Sequence, residues 1–320
     1  MTSMADVAAS AGVSVATVSR VLSGRDGVRP ETVARVRAAA DGLGYRYNGL
    51  AAALRQQRTK LVGCCVPRIA NPYFAALVEA LEHELAGDGL ELLIADARDD
   101  DELERGRVTA LLERQVDALV IAPTGRGPLL ATGTPGVPCV LVDREVPGLD
   151  ADWVGVDNRG GVAAVVAHLR AAGHERFAFV GAAADDSVAA ERLAGFRDHV
   201  DGPVLQGELS MDGGRAAAAE ALRRAPGTTA IVCANDLIAY GVLAWAHDEG
   251  RDVPGELAVT GFDDLPFSAI TRPGLTSVRQ PLTDLAATVA ATLRDRLGGV
   301  GGSAPRRTRL PVELVVRGSS

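Results

Sequence analysis

The chain has 320 residues, 47% of them hydrophobic, so it can bury a sizeable core and is too long for one domain of about 150 residues. It shows no N-terminal basic-then-apolar segment and no run of about 20 apolar residues. These features argue against an export signal and a membrane span, and we expect a cytoplasmic protein of two or three globular units.

Charge is distributed unevenly along the chain. Residues 1–60 contain nine Lys and Arg against four Asp and Glu, whereas the remainder contains 24 against 37 and the whole chain carries a net charge of −8. A basic head on an acidic body is expected when the head meets phosphate and the body does not. The first 60 residues are therefore the candidate nucleic-acid-binding region.

Two short helices separated by a tight turn are predicted at the start of the chain. Residues 4–11 have a helical pattern, with Ser3 as its N-cap. Gly12 supplies a left-handed turn residue, and Ser14 caps a second helix over residues 15–22.

The spacing of these helices is that of a helix-turn-helix. Ala8, Gly12 and Val18 fall where the motif requires a small residue at the helix crossing, a turn glycine and a buried apolar residue. The alternative is a pair of unrelated small helices in an alanine-rich chain. The residues expected to be buried are Val7, Ala8, Val13, Val18 and Val21.

The outward face of the second helix is the predicted DNA-reading surface. Val15 and Ala16 are short enough to let the helix approach a major groove, and Arg20 can reach a guanine edge or a phosphate. The residues expected to contact phosphates are Ser14, Thr17 and Ser19.

A third helix begins at Pro30 and ends near Gly44, and a polar linker covers residues 56–60. Beyond the linker, strands alternate with amphipathic helices. The first such run has strands at 61–66, 90–95, 118–122 and 139–142 and helices at 72–87 and 101–115. The second has strands at 177–180, 230–233 and 257–262 and helices at 158–172, 188–200, 213–224 and 236–249, followed by a helix at 283–297 and one terminal strand at 310–316. This alternation favours two doubly wound parallel sheets.

The run Met4-Ala-Asp-Val-Ala, followed by Ala11-Gly-Val-Ser-Val-Ala-Thr-Val-Ser-Arg-Val-Leu22, resembles the opening signature of the LacI/GalR family of transcriptional regulators. The resemblance implies a helix-turn-helix domain over residues 1–47, a hinge helix and linker over 48–60, and a periplasmic-binding-protein-like body over 61–320. It also implies that the body has two discontinuous subdomains: an N-subdomain of about 61–157 plus 282–309, and a C-subdomain of about 158–281 plus 310–320.

The implied hinge helix begins at Asn48 as cap and contains Leu54, which matches the family leucine that wedges into the minor groove of the operator. Tyr47 stands where the family usually has proline, and Ala52 where it commonly has arginine. Gly49 weakens the helix by roughly 1 kcal/mol relative to alanine. The alternative for Leu54 is a core position of the body.

Ligands of open parallel sheets bind at the carboxyl ends of strands, and between two such sheets they lie in the cleft. Family stretches that contribute effector contacts resemble Ala190-Glu-Arg-Leu-Ala-Gly-Phe196, Ala234-Asn-Asp-Leu237 and Gly261-Phe-Asp-Asp264, which implies contacts from Arg192, Asn235 and Asp263. We place Arg192 at the start of a helix. The other candidates follow strands of the first run: Arg68, Tyr73, Phe74 and Asp143.

A guanidinium fork, carboxylates and an amide can each hold vicinal hydroxyls, and an aromatic ring can stack on a sugar or a base. The set predicts a small polyhydroxylated effector, a sugar or a nucleoside. The alternatives are that Asp236 and Asp264, and less readily Asn235 and Asp263, only cap the next helix, and that Phe74 is a packing residue. Whether the effector releases or promotes DNA binding is left open.

No catalytic motif is found in the sequence. The five histidines are scattered over predicted helices and helix ends, and HExxH, GxSxG and Walker A patterns do not occur. The cysteines lie in apolar runs without a CxxC pair, which is typical of reduced core residues. We expect neither an enzyme nor a cofactor or metal site. The cysteines in question are Cys64, Cys65, Cys139 and Cys233.

Two classes of function remain. The first is a ligand-responsive DNA-binding regulator, in particular a repressor, and the second is a solute-binding receptor whose N-terminal helices have another role. The basic head and the absence of an export signal favour the first. The family resemblance implies a homodimer on a pseudo-palindromic operator in double-stranded DNA, and because no heptad repeat follows Arg317, we expect a dimer and not a tetramer.

Overall fold

The computed structural model describes residues 2–22, 27–46, 58–125, 136–146, 148–181, 187–300, 302 and 304–320. The chain forms two compact units, Met1–Thr59 and Lys60–Ser320. The predicted hinge residues, including Asn48 and Leu54, and the departures at Tyr47, Gly49 and Ala52 lie outside the described residues.

The first unit contains helices α1 (Met4–Ala11), α2 (Val15–Leu22) and α3 (Pro30–Gly42). Ser3 and Asp6 cap α1 reciprocally, because the Ser3 hydroxyl accepts from the Asp6 N–H while the Asp6 carboxylate accepts from the Ser3 N–H at 2.7 Å. Gly12 ends α1 with a φ of 62°, and Ser14 Oγ accepts from the Thr17 N–H at 3.1 Å to cap α2.

The helices of the first unit enclose a small apolar core. Val13 packs against this core but is only half-buried, whereas full burial was expected, and Ala11 is buried in addition to the predicted residues. Val13 lies in the turn, where one side of its side chain stays at the surface. The buried residues of this core are Val7, Ala8, Ala11, Val18, Val21, Val36 and Ala40.

The second unit, called the body below, is built of strands and helices that alternate along the chain. Its helices are α4 (Pro72–Gly87), α5 (Asp101–Glu113), α6 (Asn158–Ala171), α7 (Ser187–Arg197), α8 (Met211–Arg224), α9 (Asp236–Asp248) and α10 (Leu282–Leu297). Its strands are β1 (Leu61–Val66), β2 (Glu91–Asp96), β3 (Ala118–Ile121), β4 (Cys139–Val142), β5 (Asp152–Val156), β6 (Phe177–Gly181), β7 (Val204–Gln206), β8 (Ala230–Cys233), β9 (Ala258–Asp263), β10 (Thr276–Arg279), β11 (Arg307–Leu310) and β12 (Glu313–Val315).

These strands form two six-stranded sheets. Sheet A has the order β11-β5-β4-β3-β1-β2 and is parallel throughout, and sheet B has the order β12-β10-β9-β8-β6-β7 and is parallel except for β12. The four cysteines are buried in these strands. The predicted class of two doubly wound parallel sheets is confirmed.

The single terminal strand predicted at 310–316 is wrong. The chain forms β11 beside β5 in sheet A and then β12, antiparallel to β10, in sheet B. Pro311 lies between the two strands and has no N–H to continue a ladder, so the change of sheet falls there.

Three further strands were not predicted. Strand β5 begins with Asp152, which is 4% exposed and pairs with Arg296 at 2.7 Å, so a satisfied buried acid interrupts the apolar pattern. Strand β10 lacks an apolar pattern because its buried Ser277 is polar. The Ser277 hydroxyl is satisfied by donating to the buried Asp236. Strand β7 has only three residues.

Helices α8 and α9 approach each other closely at two glycines. A Cβ added at Gly214 would lie 2.1 Å from the Ile238 carbonyl oxygen, and one added at Gly241 would lie 2.0 Å from that of Met211. Any side chain at either position would therefore displace α9, whose N-terminus reaches the site described below.

Within the described residues, no single helix is long and apolar enough to span a membrane, and the one pair that would pass by length and composition, α1 with α2, is bent by 103°.

Candidate functional site

Helix α2 presents small and polar side chains outward. Val15 is 45% exposed, Ala16 and Arg20 are exposed, and Val18 and Val21 face the core. Short side chains allow the helix backbone to approach a groove closely. Among the remaining predicted DNA contacts, Ser14 is exposed, and Thr17 and Ser19 are half-buried.

The Ser14 hydroxyl already serves the helix itself. It caps α2 and lies 2.9 Å from the Thr17 hydroxyl. A phosphate near this end of α2 would meet the two hydroxyls, while the Thr17 N–H is already taken by the Ser14 cap.

A narrow cavity lies in the body where strands of both sheets end, and the space within it that is open to a water-sized sphere is about 40 Å³. This is below the volume of an open small-molecule site, so the lining side chains lie close together in this structure. Its lining residues are Asn71, Tyr73, Phe74, Asp143, Arg144, Val188, Ala189, Arg192, Leu209, Ala234, Asn235, Asp263 and Gln280.

Six of the seven predicted effector residues line this cavity, and Arg68 does not. The Arg68 side chain is 55% exposed and forms an ion pair with Asp99. It faces solvent because a neighbouring loop supplies this carboxylate. The six residues brought together are Tyr73, Phe74, Asp143, Arg192, Asn235 and Asp263.

Arg192 lies midway along α7 rather than at the start of a helix, and it is 5% exposed. Its Nε donates to Asn158 Oδ1 at 2.8 Å and its Nη1 to the Ala234 carbonyl at 2.6 Å. Its Nη2 lies 3.7 Å from Asp263 Oδ1, and the guanidinium carbon lies 3.7 Å from the ring centroid of Phe262. Arg192 therefore has a fixed position on the sheet B side of the cavity.

Asp263 ends β9 with a φ of 113°, in the left-handed region that side chains rarely adopt. The Gln280 side-chain amide donates to its Oδ1 at 2.8 Å. Burial raises the pKa of Asp263 to about 8, although the Arg192 guanidinium acts in the opposite direction, and Asp236 and Asp143 raise it further.

Tyr73, on the sheet A side of the cavity, contacts Gln280 on the sheet B side. Its hydroxyl lies 3.1 Å from Gln280 Oε1 and 3.3 Å from Asp143 Oδ1, and one O–H proton serves one of these acceptors at a time. Burial, followed by the charge of Asp143, raises the pKa of Tyr73 well above its ordinary value. Gln280 was not predicted; its one signal in the sequence is its place beside Pro281, where a crossover was implied.

Asn235 combines a structural role with its place in the cavity. Its Oδ1 caps α9 by accepting from the Ile238 N–H at 2.9 Å, so its NH₂ group is the part suited to meet a ligand. Asp236, for which a cap role was one alternative, is fully buried and accepts from the Ser268 and Ser277 hydroxyls and the Leu265 N–H.

Asp264, the other residue considered as a cap, forms ion pairs. Its carboxylate lies 2.8 Å from Arg279 Nε and 2.7 Å from Arg317 Nη1. These contacts hold the turn after β9 against the end of the chain.

Arg144 follows Asp143 at the end of β4 and lines the cavity, although it was not among the predicted effector residues. Its Nη1 donates to the carbonyls of Pro123 and Thr124 at 3.0 and 2.8 Å. The Thr124 N–H in turn donates to the buried Glu104 at 2.6 Å, and burial raises the pKa of Glu104 to about 7.

The aromatic part of the cavity is a pair of rings on α4. Tyr73 and Phe74 meet edge to face, with centroids 5.0 Å apart and planes at 71°. With aliphatic neighbours such as Val188 and Leu209, they give the cavity an apolar wall beside its carboxylates and amides. Such a surface suits a ligand that has hydroxyls at its edge and C–H groups on its face.

Among the residues that the structure describes, no group of three or more His, Cys, Asp or Glu side chains could hold a metal ion.

A helix-turn-helix unit followed by a two-sheet body with a polar cavity at the strand ends of both sheets defines a ligand-binding transcriptional regulator. Residues 3–48 match the family model described as bacterial regulatory proteins, lacI family, and residues 166–320 match that of the periplasmic binding protein-like domain. The chain belongs to the lacI family of bacterial regulatory proteins. The resemblance inferred from residues 4–22 is confirmed.

Known proteins match the chain over nearly its full length. The HTH-type transcriptional regulator GalR of Escherichia coli (strain K12) is 35% identical over 302 residues, which cover 91% of this chain and 88% of that protein. A structure of the transcriptional regulator CelR–cellobiose complex is 30% identical, with a TM-score of 0.75 and full coverage of both chains. The Lac repressor dimer bound to operator and the anti-inducer ONPF is 25% identical, with a TM-score of 0.85 and coverage of 99% and 98%.

Proposed function

We propose that this lacI-family regulator is a homodimeric repressor whose affinity for a pseudo-palindromic operator in double-stranded DNA is set by a small polyhydroxylated effector, most simply a sugar. One observation carries the proposal. A single chain joins a helix face of short exposed side chains, on a basic head, to a cavity lined by the buried residues Arg192, Asn235 and Asp263.

The known complexes of similar proteins support this assignment. The Lac repressor is a dimer on its operator, and CelR is in complex with cellobiose. Because operator DNA lies in the cytoplasm, the protein would act there. The proposed role is regulatory rather than catalytic, and the GalR relative is likewise named a transcriptional regulator.

The proposed organisation is a head at residues 1–47, a hinge and linker at 48–60 and a body at 61–320, with the subdomain limits given above. The proposed DNA contacts are Ser14, Val15, Ala16, Thr17, Ser19 and Arg20, with Asn48 and Leu54 in the hinge. The proposed effector contacts from the sequence are Tyr73, Phe74, Asp143, Arg192, Asn235 and Asp263. We add Arg144 and Gln280, which also line the cavity. Arg68 is no longer proposed as an effector contact.

The test is selection of binding sites from a random DNA library by the full-length protein, followed by gel shifts with and without simple sugars. We expect an inverted repeat to be enriched and a sugar to change its affinity. Recovery of no preferred sequence would refute operator binding. Sedimentation at micromolar protein should show a dimer, and a stable tetramer would refute the proposed assembly.

A further inference from the structure

Arg192 is held at the cavity by a residue that lies behind the cavity wall. Its Nε donates to Asn158 Oδ1 at 2.8 Å. Asn158 is 1% exposed, and it is not one of the described residues that line the cavity. A buried guanidinium needs oxygen acceptors, so the Asn158 amide helps to determine where the guanidinium points.

The orientation of the Asn158 amide is set by two groups of opposite charge. A guanidinium has only N–H donors, so Asn158 must present its oxygen to Arg192. Its Nδ2 then points to Glu191 and donates to Oε2 at 3.1 Å. A reversed amide would place NH₂ against the guanidinium and oxygen against the carboxylate. Glu191 therefore favours the one orientation that serves Arg192.

Glu191 directly precedes Arg192 on α7, but the two side chains leave the helix in different directions. Arg192 reaches the cavity, whereas Glu191 reaches β11 of sheet A, where its Oε1 accepts from Arg309 Nη2 at 2.8 Å. The two oxygens of this carboxylate therefore serve two different donors, one from Asn158 and one from Arg309.

The Arg309 side chain has a defined place on sheet A. Arg309 pairs in register with Gly155 of β5. A Cβ at Gly155 would collide with the ring of Trp153, so the glycine makes room for that ring. The Arg309 guanidinium carbon lies 5.6 Å from the centroid of the same ring. A side chain at position 191 must therefore satisfy Arg309 as well as Asn158.

Helices α6 and α7 lie close together where these contacts form. A Cβ added at Gly195 of α7 would lie 2.6 Å from the Arg159 carbonyl oxygen in the first turn of α6. Asn158 is the first residue of that turn. Side chains on packed helices and strands are held more precisely than side chains on loops. The surroundings of Arg192 are therefore fixed by the packing of the two helices.

We propose that Glu191 is a positioning residue of the effector site, which fixes the Asn158 amide and through it the direction of the Arg192 guanidinium. This inference rests on the proposed function, because Arg192 is one of the proposed effector contacts. Glu191 itself is not among the described residues that line the cavity. Without its carboxylate the amide is free to turn, and the buried Nε–H of Arg192 then loses its acceptor.

The first test observes Arg192 in the full-length protein without any sugar. The Nε–H signals of ¹⁵N-labelled arginine are measured by NMR, and the signal of Arg192 is assigned by its loss in Arg192→Lys. Glu191→Gln keeps the size of the side chain but offers one oxygen to two donors. We expect the Arg192 signal to shift and its N–H to exchange faster with water.

Removal of the competing donor should restore the signal. Arg309→Met alone should leave the Arg192 signal at its wild-type position, and Glu191→Gln with Arg309→Met should recover it, because the glutamine oxygen then serves Asn158. Glu191→Ala has no such oxygen and should show no recovery. General loosening of the helices would instead make the double variant worse than the single one. A wild-type signal in Glu191→Gln, or no recovery in the double variant, would overturn the inference.

The second test measures binding of glucose, galactose, ribose and cellobiose by calorimetry. A sugar that binds the wild type should bind Glu191→Gln at least about ten-fold more weakly and regain affinity in the double variant with Arg309→Met. Unchanged affinity in Glu191→Gln would contradict the positioning role. If none of these sugars binds the wild type, the proposed sugar effector fails, and the Arg192 signal still decides the role of Glu191.

The matched control is Glu220→Gln. The Glu220 side chain is 30% exposed, as is that of Glu191, and its carboxylate pairs with Arg223 and Arg224 on α8, outside the cavity. This variant should leave both the Arg192 signal and the sugar affinity at their wild-type values. A change as large as that in Glu191→Gln would show that loss of any such ion pair produces the effect, and would overturn the specific role of Glu191.

Discussion

The Tyr73 hydroxyl lies 3.1 Å from Gln280 Oε1, and this hydrogen bond joins two residues 207 positions apart in the chain. Tyr73 belongs to α4, which follows β1 of sheet A, whereas Gln280 follows β10 of sheet B. The other end of the same amide donates to Asp263. The two halves of the body are therefore joined at the cavity.

Tyr73→Phe should lower the free energy of unfolding by about 1–3 kcal/mol, because it leaves the buried Gln280 carbonyl oxygen without its donor. Urea unfolding of the full-length protein measures this change. In the double variant with Gln280→Ala, the loss in free energy of unfolding should be smaller than the sum of the losses in the two single variants. Tyr45→Phe, in the separate head unit, is the control and should add to Gln280→Ala without coupling.

Asp263→Ala should abolish the response to the sugar effector while operator affinity in its absence stays at the wild-type value. The reason is that Asp263 faces the cavity of the body, whereas the proposed DNA contacts lie on α2. Calorimetry measures sugar binding, and anisotropy measures operator binding. Undiminished sugar affinity in this variant would remove Asp263 from the effector contacts.

Stability should decline as pH rises toward 8. Burial raises the pKa of three carboxyls above their ordinary values: Glu104 from 4.5 to about 7, Asp236 from 3.8 to about 6 and Asp263 from 3.8 to about 8. Between the ordinary pKa and the raised pKa of each carboxyl, the folded protein holds a proton that the unfolded chain has released. Their contribution to the free energy of unfolding is full below the ordinary values and is lost as pH rises through the folded ones.

Asp263→Asn should flatten this decline most clearly between pH 7 and pH 8, above the raised pKa values of both Asp236 and Glu104. One proton accounts for at most about 1.4 kcal/mol per pH unit. Urea unfolding across this range measures the slope. Asp248→Asn should keep the wild-type slope, because Arg215 lowers the pKa of Asp248. An unchanged slope in Asp263→Asn would contradict the assignment.

Arg20→Ala should weaken binding to the selected operator by about 1–3 kcal/mol and relax the preference at one base position. Arg20 is the exposed cation on α2, beside the short side chains that allow the helix close to the groove. Arg223→Ala, on an exposed face of the body, is the control and should leave affinity unchanged. A wild-type affinity for Arg20→Ala would exclude Arg20 from DNA recognition.

The hinge prediction rests on the sequence, since residues 47–57 lie outside the described part of the chain. Gly49→Ala should raise operator affinity by up to roughly 1 kcal/mol per protomer through greater helix propensity. Leu54→Ala should reduce operator affinity and leave sugar binding to the free protein unaltered. Wild-type affinity and effector dependence in both variants would show that the hinge is a passive tether.

The sequence alone determined the head and the alternation of the body, because both depend on neighbours in the chain. The Ser3 cap, the Gly12 turn and the Ser14 cap act within a few residues of themselves, and apolar periodicity shows which face of each helix is buried. The rule that ligands lie at strand ends, together with the family resemblance, led to six of the residues that line the cavity.

Only the tertiary structure decided which of those residues meet and which others join them. Gln280 reaches the cavity because β10 pairs with β9, and β10 escaped prediction because its polar side chains are satisfied by a distant carboxylate, Asp236. Arg68 lies outside the cavity because it pairs with Asp99, which is close to it in space but not in sequence. These outcomes depend on contacts between residues tens to hundreds of positions apart, which local propensity does not encode.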